Sequence, residues 1–328
     1  MLLSELINEY FPQIEHTMLN EKNFKTLGLV GSDSGCNEKL TFIDTDAFVR
    51  DIGDDISMVI TNKTIGDRIS SDKFGLCIVD NPRLVYFKLH NYLSTNPKYT
   101  RTKFKTRIGK NVRIHPSVVI PEENVVIGDN CIIEEYVVIR ENVEIGDECI
   151  FRAGVKIGLP DFEFKNDEDG LFAVIHCGGV KIGNNVEVLS NTGINCALYP
   201  WDNTVIGDHC KIDMLCNISH GAKIGRNTMI VALSGIGGRT EIGENCWIGY
   251  GSILRNGIVI GDNARVNMGS VVSKNVEDNK AVTGNFAIDH DLFIIEQKKK
   301  AKGNWMNKIK VINIGYYHGT DDTRIIFL

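Results

Sequence analysis

One histidine is notable for the residues that lie at equal steps from it. His220 occurs in the stretch CNISHGAKIG, residues 216–225. Equal steps along the chain from His220 reach Asp202 in one direction, and Gly238 and then Asn256 in the other. A histidine accepts a proton near neutral pH, a carboxylate orients its ring, and a glycine can aim a backbone N–H at an oxyanion. Groups of these kinds serve reactions in which a proton is removed and negative charge develops on an oxygen.

The equal steps matter because the chain repeats with a related period. Between Ile127 and Ile260, Ile-Gly pairs recur at intervals that are multiples of six positions, with one exception after Ile157. A six-residue repeat predicts a parallel β-helix in which each hexad supplies one short strand and one corner. Three hexads, the step that separates His220 from Gly238, close one triangular coil. Equivalent side chains of successive coils should therefore lie about 4.8 Å from one another.

The repeat indicates a mainly β fold with three parts. We expect the β-helix to be left-handed, an exception to the usual right-handed crossover. The predicted parts are an N-terminal α/β domain over 1–105, the β-helix over 106–284 with an excursion at 159–179, and a C-terminal extension with a helix over 285–328. In the first part, KLTFID (39–44) and ISMVIT (56–61) are typical of strands. Residues 75–93 are typical of a strand followed by a helix, in which Asn81 is the N-cap and Pro82 the first helical residue.

Composition excludes several classes of function. The 328 residues carry a net charge of −6, which argues against a nucleic-acid-binding protein. No apolar run is long enough to cross a bilayer, and the N-terminus lacks the features of a signal peptide. The nine cysteines form no CxxC pair, so we expect reduced thiols in a cytoplasmic protein. No three histidines are in phase, so we predict no metal site.

In order along the chain, five segments resemble the hexapeptide-repeat acyltransferases, in particular the UDP-3-O-acylglucosamine N-acyltransferase group. These segments are KLTFIDTDAF, FGLCIVDNPRLVYFKLHNYL, IGLPDFEFKNDEDGLFAVIHCGGVKIGNNVEV, CNISHGAKIG and AVTGNFA. The resemblance implies that His220 is the general base and that the amide of Gly238 stabilises the oxyanion. Without the resemblance, a lone histidine is more often a solvated or structural residue. The proposed role of Asp202, orienting the imidazole, comes from the repeat period alone.

The resemblance also implies where the acceptor binds. Phe42 resembles the aromatic residue that stacks on a nucleotide base, although a strand core residue is the alternative. Thr45 lies nearby, and His176 resembles a residue of the sugar groove. Asn256, two coils above His220 in the predicted column, is a further candidate for substrate binding. The family is trimeric, so a homotrimer with sites at its subunit interfaces is expected.

The chain departs from the family at several of these positions. The excursion has Asp161, Phe162, Glu163 and Phe164 where the family usually has Gly-Phe-Gly-Phe, and Gly257 stands where it has a second active-site histidine. The four loop residues are candidates for substrate binding, and the two carboxylates either meet a sugar hydroxyl or only solubilise the loop. The departures indicate shared catalytic machinery with different sugar and acyl pockets.

The acyl donor is expected to be a pantetheine thioester, either acyl-coenzyme A or an acyl carrier protein, and no permanently bound cofactor is predicted. Gly257, Asn285 and Lys298 are the candidate donor contacts. The lysines between residues 298 and 310 suit coenzyme A phosphates or an acidic carrier protein, or are a solvated helix face. We favour coenzyme A because the pocket features of the lipid A enzyme are missing.

The sequence therefore predicts an N-acyltransferase acting on a UDP- or dTDP-linked amino sugar. Two alternatives remain open at this point. The first is the lipid A enzyme itself, UDP-3-O-(3-hydroxyacyl)glucosamine N-acyltransferase, with an acyl carrier protein as donor. The second is a non-catalytic β-helix scaffold, which would need neither the long excursion nor a histidine stacked beneath a glycine.

Overall fold

The computed structural model describes residues 1–69, 72–284 and 287–309, with side chains as far as Lys300. Residues 1–284 form one compact unit, and a second unit begins at residue 285. The first unit contains a five-stranded sheet and a three-sided column of short parallel strands. The predicted mainly β fold, a left-handed parallel β-helix with a small α/β element before it, is confirmed. The boundary predicted at residue 105 stays a prediction.

The N-terminal sheet has three central strands that are nearly all buried, and it carries helices around it. In spatial order its strands are Thr17–Leu19, Gly75–Ile78, Ile56–Thr61, Lys39–Ile43 and Thr26–Leu27, of which only the first runs antiparallel to its neighbour. The helices are α1 (Leu3–Tyr10), α2 (Lys63–Gly66) and α3 (Pro82–Leu93), with a 3-10 helix at Asp46–Asp51. The strands predicted at 39–44 and 56–61 are confirmed.

The start of α3 follows the predicted capping chemistry. The side chain of Asn81 accepts a hydrogen bond of 3.1 Å from the backbone amide of Leu84, and Pro82 is the first helical residue. An asparagine cap satisfies one of the free amides at a helix start, and proline there sacrifices no hydrogen bond. The cap fixes the residue at which α3 begins, and the helix then buries Tyr86 and His90.

The column has three faces, and every strand pairs in parallel with the equivalent strand of the next coil. Face 1 consists of Arg107–Ile108, Val125–Ile127, Val143–Ile145, Gly179–Ile182, Asn203–Ile206, Lys223–Ile224, Glu241–Ile242 and Val259–Ile260. Face 2 consists of Arg113–Ile114, Ile132–Ile133, Ile150–Phe151, Glu187–Val188, Lys211–Ile212, Met229–Ile230, Trp247–Ile248, Arg265–Val266 and Ala281–Val282. Face 3 consists of Val138–Ile139, Lys156–Leu159, Gly193–Asn195, Asn217–Ile218, Gly235–Ile236, Ile253–Leu254 and Val271–Val272.

Stacked aliphatic side chains fill the column. Ile224, Ile242 and Ile260 pair in register on successive coils of face 1 and are buried. At the corner between faces 1 and 2, Asn227 and Asn245 adopt positive φ angles of 56° and 55°. Asparagine tolerates this left-handed conformation better than most residues, which explains its recurrence in the repeat.

Two excursions interrupt the coils. The predicted excursion leaves after Leu159, forms the hairpin Phe164–Asp167 and Gly170–Ala173, and returns at Gly179. A second excursion, residues 196–202, lies between consecutive strands of faces 3 and 1. It lengthens that coil by the equivalent of one hexad, as the pairing of Ile182 with Ile206 requires.

The second unit contains helix α4, His290–Ile309, which confirms the helix predicted after the repeats. The segment VINIGYYHGTDDTRIIFL, for which a strand was one expectation, lies outside the described residues. Among the described residues, we find no helix with both the length and the apolar character that crossing a membrane demands.

Neighbouring residues of one strand provide a test of the core. Ile260→Ala should lower the free energy of unfolding by about 2–5 kcal/mol, because it empties space in a packed interior. Val259→Ala should cost less than about 1 kcal/mol, since Val259 faces outward and is 43 % exposed. Urea unfolding followed by circular dichroism measures both. Equal losses would contradict the inward stacking.

Candidate functional site

His220 lies at the corner between faces 3 and 1, and only 5 % of it is exposed. The backbone amide of Arg239 donates to the carbonyl of His220 at 2.8 Å, and that of Gly257 donates to the carbonyl of Gly238 at 2.9 Å. The strands before this corner pair with the regular offset of one coil, Ile218 with Ile236. His220 and Gly238 are therefore stacked on successive coils, as the period predicts.

Gly238 leaves room for the imidazole. A Cβ added at Gly238 would lie 2.4 Å from Nε2 and 2.8 Å from Cδ2 of His220. Any other residue there would push the ring away. The amide of Gly238 donates to Oδ1 of Asn256 at 3.2 Å. The N–H predicted to stabilise an oxyanion thus donates to the side-chain carbonyl of Asn256, which is an exposed residue.

Asp202, predicted to orient His220, makes its hydrogen bonds elsewhere among the described residues. Its Oδ1 pairs with Nζ of Lys223 at 2.5 Å and accepts from the amide of Asn203 at 2.8 Å. On face 1 the step of three hexads holds, since Val205 pairs with Lys223, and Asp202 does lie on the neighbouring coil. Its Oδ2 is 3.1 Å from the place where a Cβ of Gly221 would be, one residue beyond His220.

Instead, the first excursion brings two other carboxylates to His220. Oδ2 of Asp161 accepts a hydrogen bond of 2.8 Å from the backbone amide of His220. Oε2 of Glu163 lies 3.7 Å from Nε2 of the ring, while Oε1 of Glu163 pairs with the ammonium group of Lys165. Both carboxylates stand where the sequence placed candidate substrate-binding residues, and neither serves only to solubilise the loop.

The surroundings shift the protonation of these groups. Burial lowers the pKa of His220, and the nearby charge of Arg239 lowers it further, against the carboxylates of Asp161 and Glu163. Burial alone would raise the pKa of Asp161, but hydrogen bonds from the amides of His220 and Phe162 hold it below its usual range. The site therefore favours a neutral imidazole beside an ionised carboxylate.

His176 is the second histidine of the site. Its ring lies edge-on to that of His220, with 5.6 Å between the ring centres. Nδ1 lies 3.2 Å from the carbonyl of Val174, and Nε2 is buried without a hydrogen-bond partner among the described residues. Burial lowers the pKa of His176 as well.

Helix α3 holds the hairpin of the first excursion. Asn91 donates to the carbonyl of Ala173 and accepts from the amide of Ile175, both at 2.8 Å. His90 contacts the same segment, with Nε2 lying 2.7 Å from the carbonyl of Ile175. Burial lowers the pKa of His90 to about 4, so it is neutral there. Sequence reasoning missed both residues, and their polar side chains on a buried helix face were the available signal.

An aromatic cluster in the N-terminal sheet adjoins the loop. The ring of Phe42 lies 4.9 Å from that of Tyr86 and 5.8 Å from that of Phe87, and the guanidinium of Arg83 lies 5.5 Å from the Phe42 ring centre. The ammonium of Lys165 lies 4.5 Å from the ring centre of Phe87. Contacts thus run continuously from Phe42 to Glu163.

The remaining candidate site residues that the structure describes are exposed. Thr45 is exposed and precedes the 3-10 helix. Phe162 is 88 % exposed and lies 4.9 Å from Phe164, measured between ring centres. Gly257 is exposed with φ of +67° and open space where a Cβ would be. Lys298 is an exposed residue of α4, and Asn285 lies outside the described residues.

A cavity of about 1080 Å³ opens beside His176. It runs along the corner between faces 3 and 1 toward the start of the β-helix, and its wall includes Pro160, Ile139 and Arg140. The wall mixes apolar side chains with cations, so it suits an elongated ligand with both characters. Within the described residues, no group of three or more His, Cys, Asp and Glu side chains converges as metal ligands would.

Comparisons with known proteins agree with this architecture. The family model for the bacterial transferase hexapeptide (six repeats) matches residues 124–159, 203–238 and 239–274. A protein named UDP-3-O-acylglucosamine N-acyltransferase from Rickettsia typhi is 49 % identical over 160 residues, 47 % of this chain and 46 % of that protein. UDP-3-O-acylglucosamine N-acyltransferase 2 from Legionella pneumophila is 44 % identical over 88 residues, 27 % of this chain and 25 % of that protein. The chain thus spans between a quarter and about half of the length of these relatives.

Among solved structures, an Arabidopsis UDP-N-acetylglucosamine acyltransferase superposes with a TM-score of 0.47 and 24 % identity. The superposition covers 55 % of this chain and 68 % of the plant protein.

The protonation of His220 can be measured by NMR on histidine-labelled protein, with His220→Asn to assign the signal. The pKa should lie below the ordinary value of about 6.5. Arg239→Gln should raise it, because the variant removes a positive charge that disfavours the imidazolium ion. Asp161→Asn should lower it for the opposite reason. Arg226→Gln, at another corner of the same coil as His220, is the control and should change nothing. An unshifted pKa would contradict the burial of the ring.

Proposed function

We propose that this chain, whose repeats are those of the bacterial transferase hexapeptide family, is an N-acyltransferase that acylates the amine of a nucleotide-linked amino sugar. One observation carries the proposal: a buried histidine lies against a glycine of the next coil and faces two carboxylates. The names of the similar proteins support the same class of reaction. A scaffold would have no use for this arrangement.

His220 acts as the general base. As the acceptor nitrogen attacks the thioester carbonyl, it must lose a proton, and a neutral imidazole with a pKa below the working pH is ready to accept it. The lowered pKa of His220 keeps the base neutral. Asp161 and Glu163 then stabilise the imidazolium ion that forms, whereas the carboxylate of Asp202 pairs with Lys223.

Gly238 stabilises the tetrahedral intermediate. Its amide lies next to the ring and points at a carbonyl oxygen, that of Asn256. When the thioester carbonyl binds, it replaces this oxygen, and the exposed Asn256 turns toward solvent. A donor of this kind is worth about 10²–10³ in rate in enzymes that use an oxyanion hole.

The aromatic cluster binds the nucleotide of the acceptor. Phe42 is half-buried, so one part of its ring packs on Tyr86 and Phe87 while another part stays accessible for stacking. Arg83 lies over the same ring; its Nε donates to Oδ2 of Asp44 at 2.9 Å, and its other guanidinium N–H groups would bind a diphosphate. From there, Lys165 and Glu163 lead to His220, which sets the sugar between the nucleotide and the base.

Acyl-coenzyme A is the proposed donor, with an elongated pantetheine arm and acyl chain that suit the cavity beside His176. A second candidate is transfer from an acyl carrier protein to UDP-3-O-acylglucosamine. The names of the relatives favour this second candidate, whereas the carboxylates in the loop and Gly257 favour a different acceptor. The nine free thiols, most of them buried, support a cytoplasmic location.

We further propose a homotrimer. The corner between faces 2 and 3 presents a stripe of large apolar side chains, each 45–63 % exposed: Met214, Leu215, Leu233, Tyr250 and Met268. The corner between faces 1 and 2 is polar, with Asn227 and Asn245 at equivalent positions. A contiguous exposed apolar stripe on one side of a soluble protein is typical of an interface.

Replacement of His220 tests the base. His220→Asn should lower acyl transfer by about 10²–10⁴-fold, measured as thiol release from short acyl-coenzyme A with a panel of UDP- and dTDP-linked amino sugars. In the wild type, the rate should fall only as pH drops through the lowered pKa of His220, because protonation removes the base.

His209→Asn is the matched control, since His209 is an exposed corner residue. Transfer by His220→Asn within tenfold of wild type would remove the base assignment. Acceptance of only a long-chain acyl carrier protein would favour the second candidate.

Replacement of the apolar stripe tests the trimer. Light scattering after size exclusion should give the wild type three times the chain mass of 36.5 kDa. Tyr250→Glu combined with Met268→Glu should shift the mass toward the single chain, because charge would be buried at the interface. Val259→Glu, on the exposed side of face 1, should not. A wild-type mass equal to one chain would refute the trimer.

A further inference from the structure

One carboxylate oxygen of Glu163 has no hydrogen-bond donor among the described residues. Oε1 pairs with the ammonium of Lys165, whereas no described residue donates a hydrogen bond to Oε2. The distance from Oε2 to Nε2 of His220 is 3.7 Å, which exceeds the range of an N–H···O bond. A small group that approaches the ring can therefore reach both atoms at hydrogen-bond distance.

The number of protons on that group decides whether Oε2 of Glu163 and Nε2 of His220 can both accept a hydrogen bond from it. The attacking atom must donate to His220, because this is the proton that the base removes. A hydroxyl has one proton and would leave Oε2 of Glu163 unpaired in a side chain that is only 17 % exposed. A neutral amine has two, one for each residue, and keeps its lone pair for attack. An unpaired buried carboxylate oxygen costs free energy, so the amine is favoured.

We propose that Glu163 selects an amine over a hydroxyl acceptor, by accepting the second N–H of the attacking nitrogen and by binding the ammonium form in which the amine arrives. This inference rests on the proposed function and adds the residue that fixes its acceptor class. Asp161 is a positioning residue, since its carboxylate holds the backbone amide of His220.

The other charges around His220 fit this assignment. Lys165 neutralises only the far oxygen of Glu163, and Arg239 lies on the coil above. The neighbouring His176 is kept neutral by burial, so it does not oppose an incoming cation. Asp161 adds a second negative charge on the same loop. The carboxylates of Asp161 and Glu163 thus attract a positive group on the loop side of the ring, against the opposing charge of Arg239.

The proton transfers balance with one proton released. The bound ammonium gives its first proton to Glu163, which passes it to water and becomes a carboxylate again. The neutral amine then attacks the thioester carbonyl: the N–C bond forms, the carbonyl π electrons move to oxygen, and His220 takes the second proton. When the intermediate collapses, the C–S bond breaks and the thiolate takes that proton from His220. The products are an amide and a thiol.

Glu163→Gln is the decisive variant, because it keeps the size of the side chain and removes its charge. For an amino sugar nucleotide that the wild type acylates, kcat/KM should fall about 100-fold. The same nucleotide sugar with a hydroxyl in place of the amine serves as a competitive inhibitor, and its inhibition constant should change less than threefold. Glu163→Asp, which keeps the charge, should recover part of the loss.

Glu168→Gln is the control, since it removes a carboxylate at the exposed tip of the same hairpin. An unchanged kcat/KM in Glu163→Gln would overturn the inference. Equal weakening of the amine substrate and the hydroxyl analogue would also overturn it, because Glu163 would then only shape the loop. A wild type that acylates no amine would instead refute the proposed function, and it would do so before any variant is compared.

Discussion

Main-chain hydrogen bonds between successive coils fix the spacing on which the site depends. They hold equivalent residues one strand apart, so the ring of His220 meets the backbone of Gly238 and nothing larger. The same ladder aligns the amide of Gly238 with Asn256 on the following coil. Because each coil is bonded to its neighbours above and below, a side chain at the corner is held by many bonds outside the site. A repetitive column thereby provides a rigid support for one reactive group.

The carboxylates that face His220 do not belong to the column. Asp161 and Glu163 come from a loop that leaves the repeat, and helix α3 of the N-terminal sheet fixes this loop through Asn91 and His90. Burial keeps His90 neutral in this contact, since a buried imidazolium would lack a counter-charge. The aromatic cluster around Phe42 belongs to the same sheet. The part that would hold the nucleotide and the part that tunes the base are therefore mechanically linked.

The column and the loop are under different structural restrictions. The corner that carries His220 and Gly238 follows the repeat and cannot change without disturbing the stacking. The loop and the corner residue at 257 are free of that restriction, and here they place Asp161 and Glu163 beside His220 and a glycine at 257. We therefore expect chemistry to be shared across such proteins, while the choice of acceptor and donor varies with the excursions.

The sequence by itself determined the column, the stacking of His220 under Gly238, the strands at 39–44 and 56–61 and the helix capped by Asn81. Each follows from local rules, since a hexad, a corner residue and a helix cap act within one coil or one turn. Tertiary structure alone decided which carboxylates face the histidine. The count of three hexads pointed to Asp202, whose carboxylate instead pairs with Lys223, and a loop from much earlier in the chain supplies Asp161. Contacts between a loop and a distant corner depend on how helix α3 packs, and no periodic pattern in the chain records that packing.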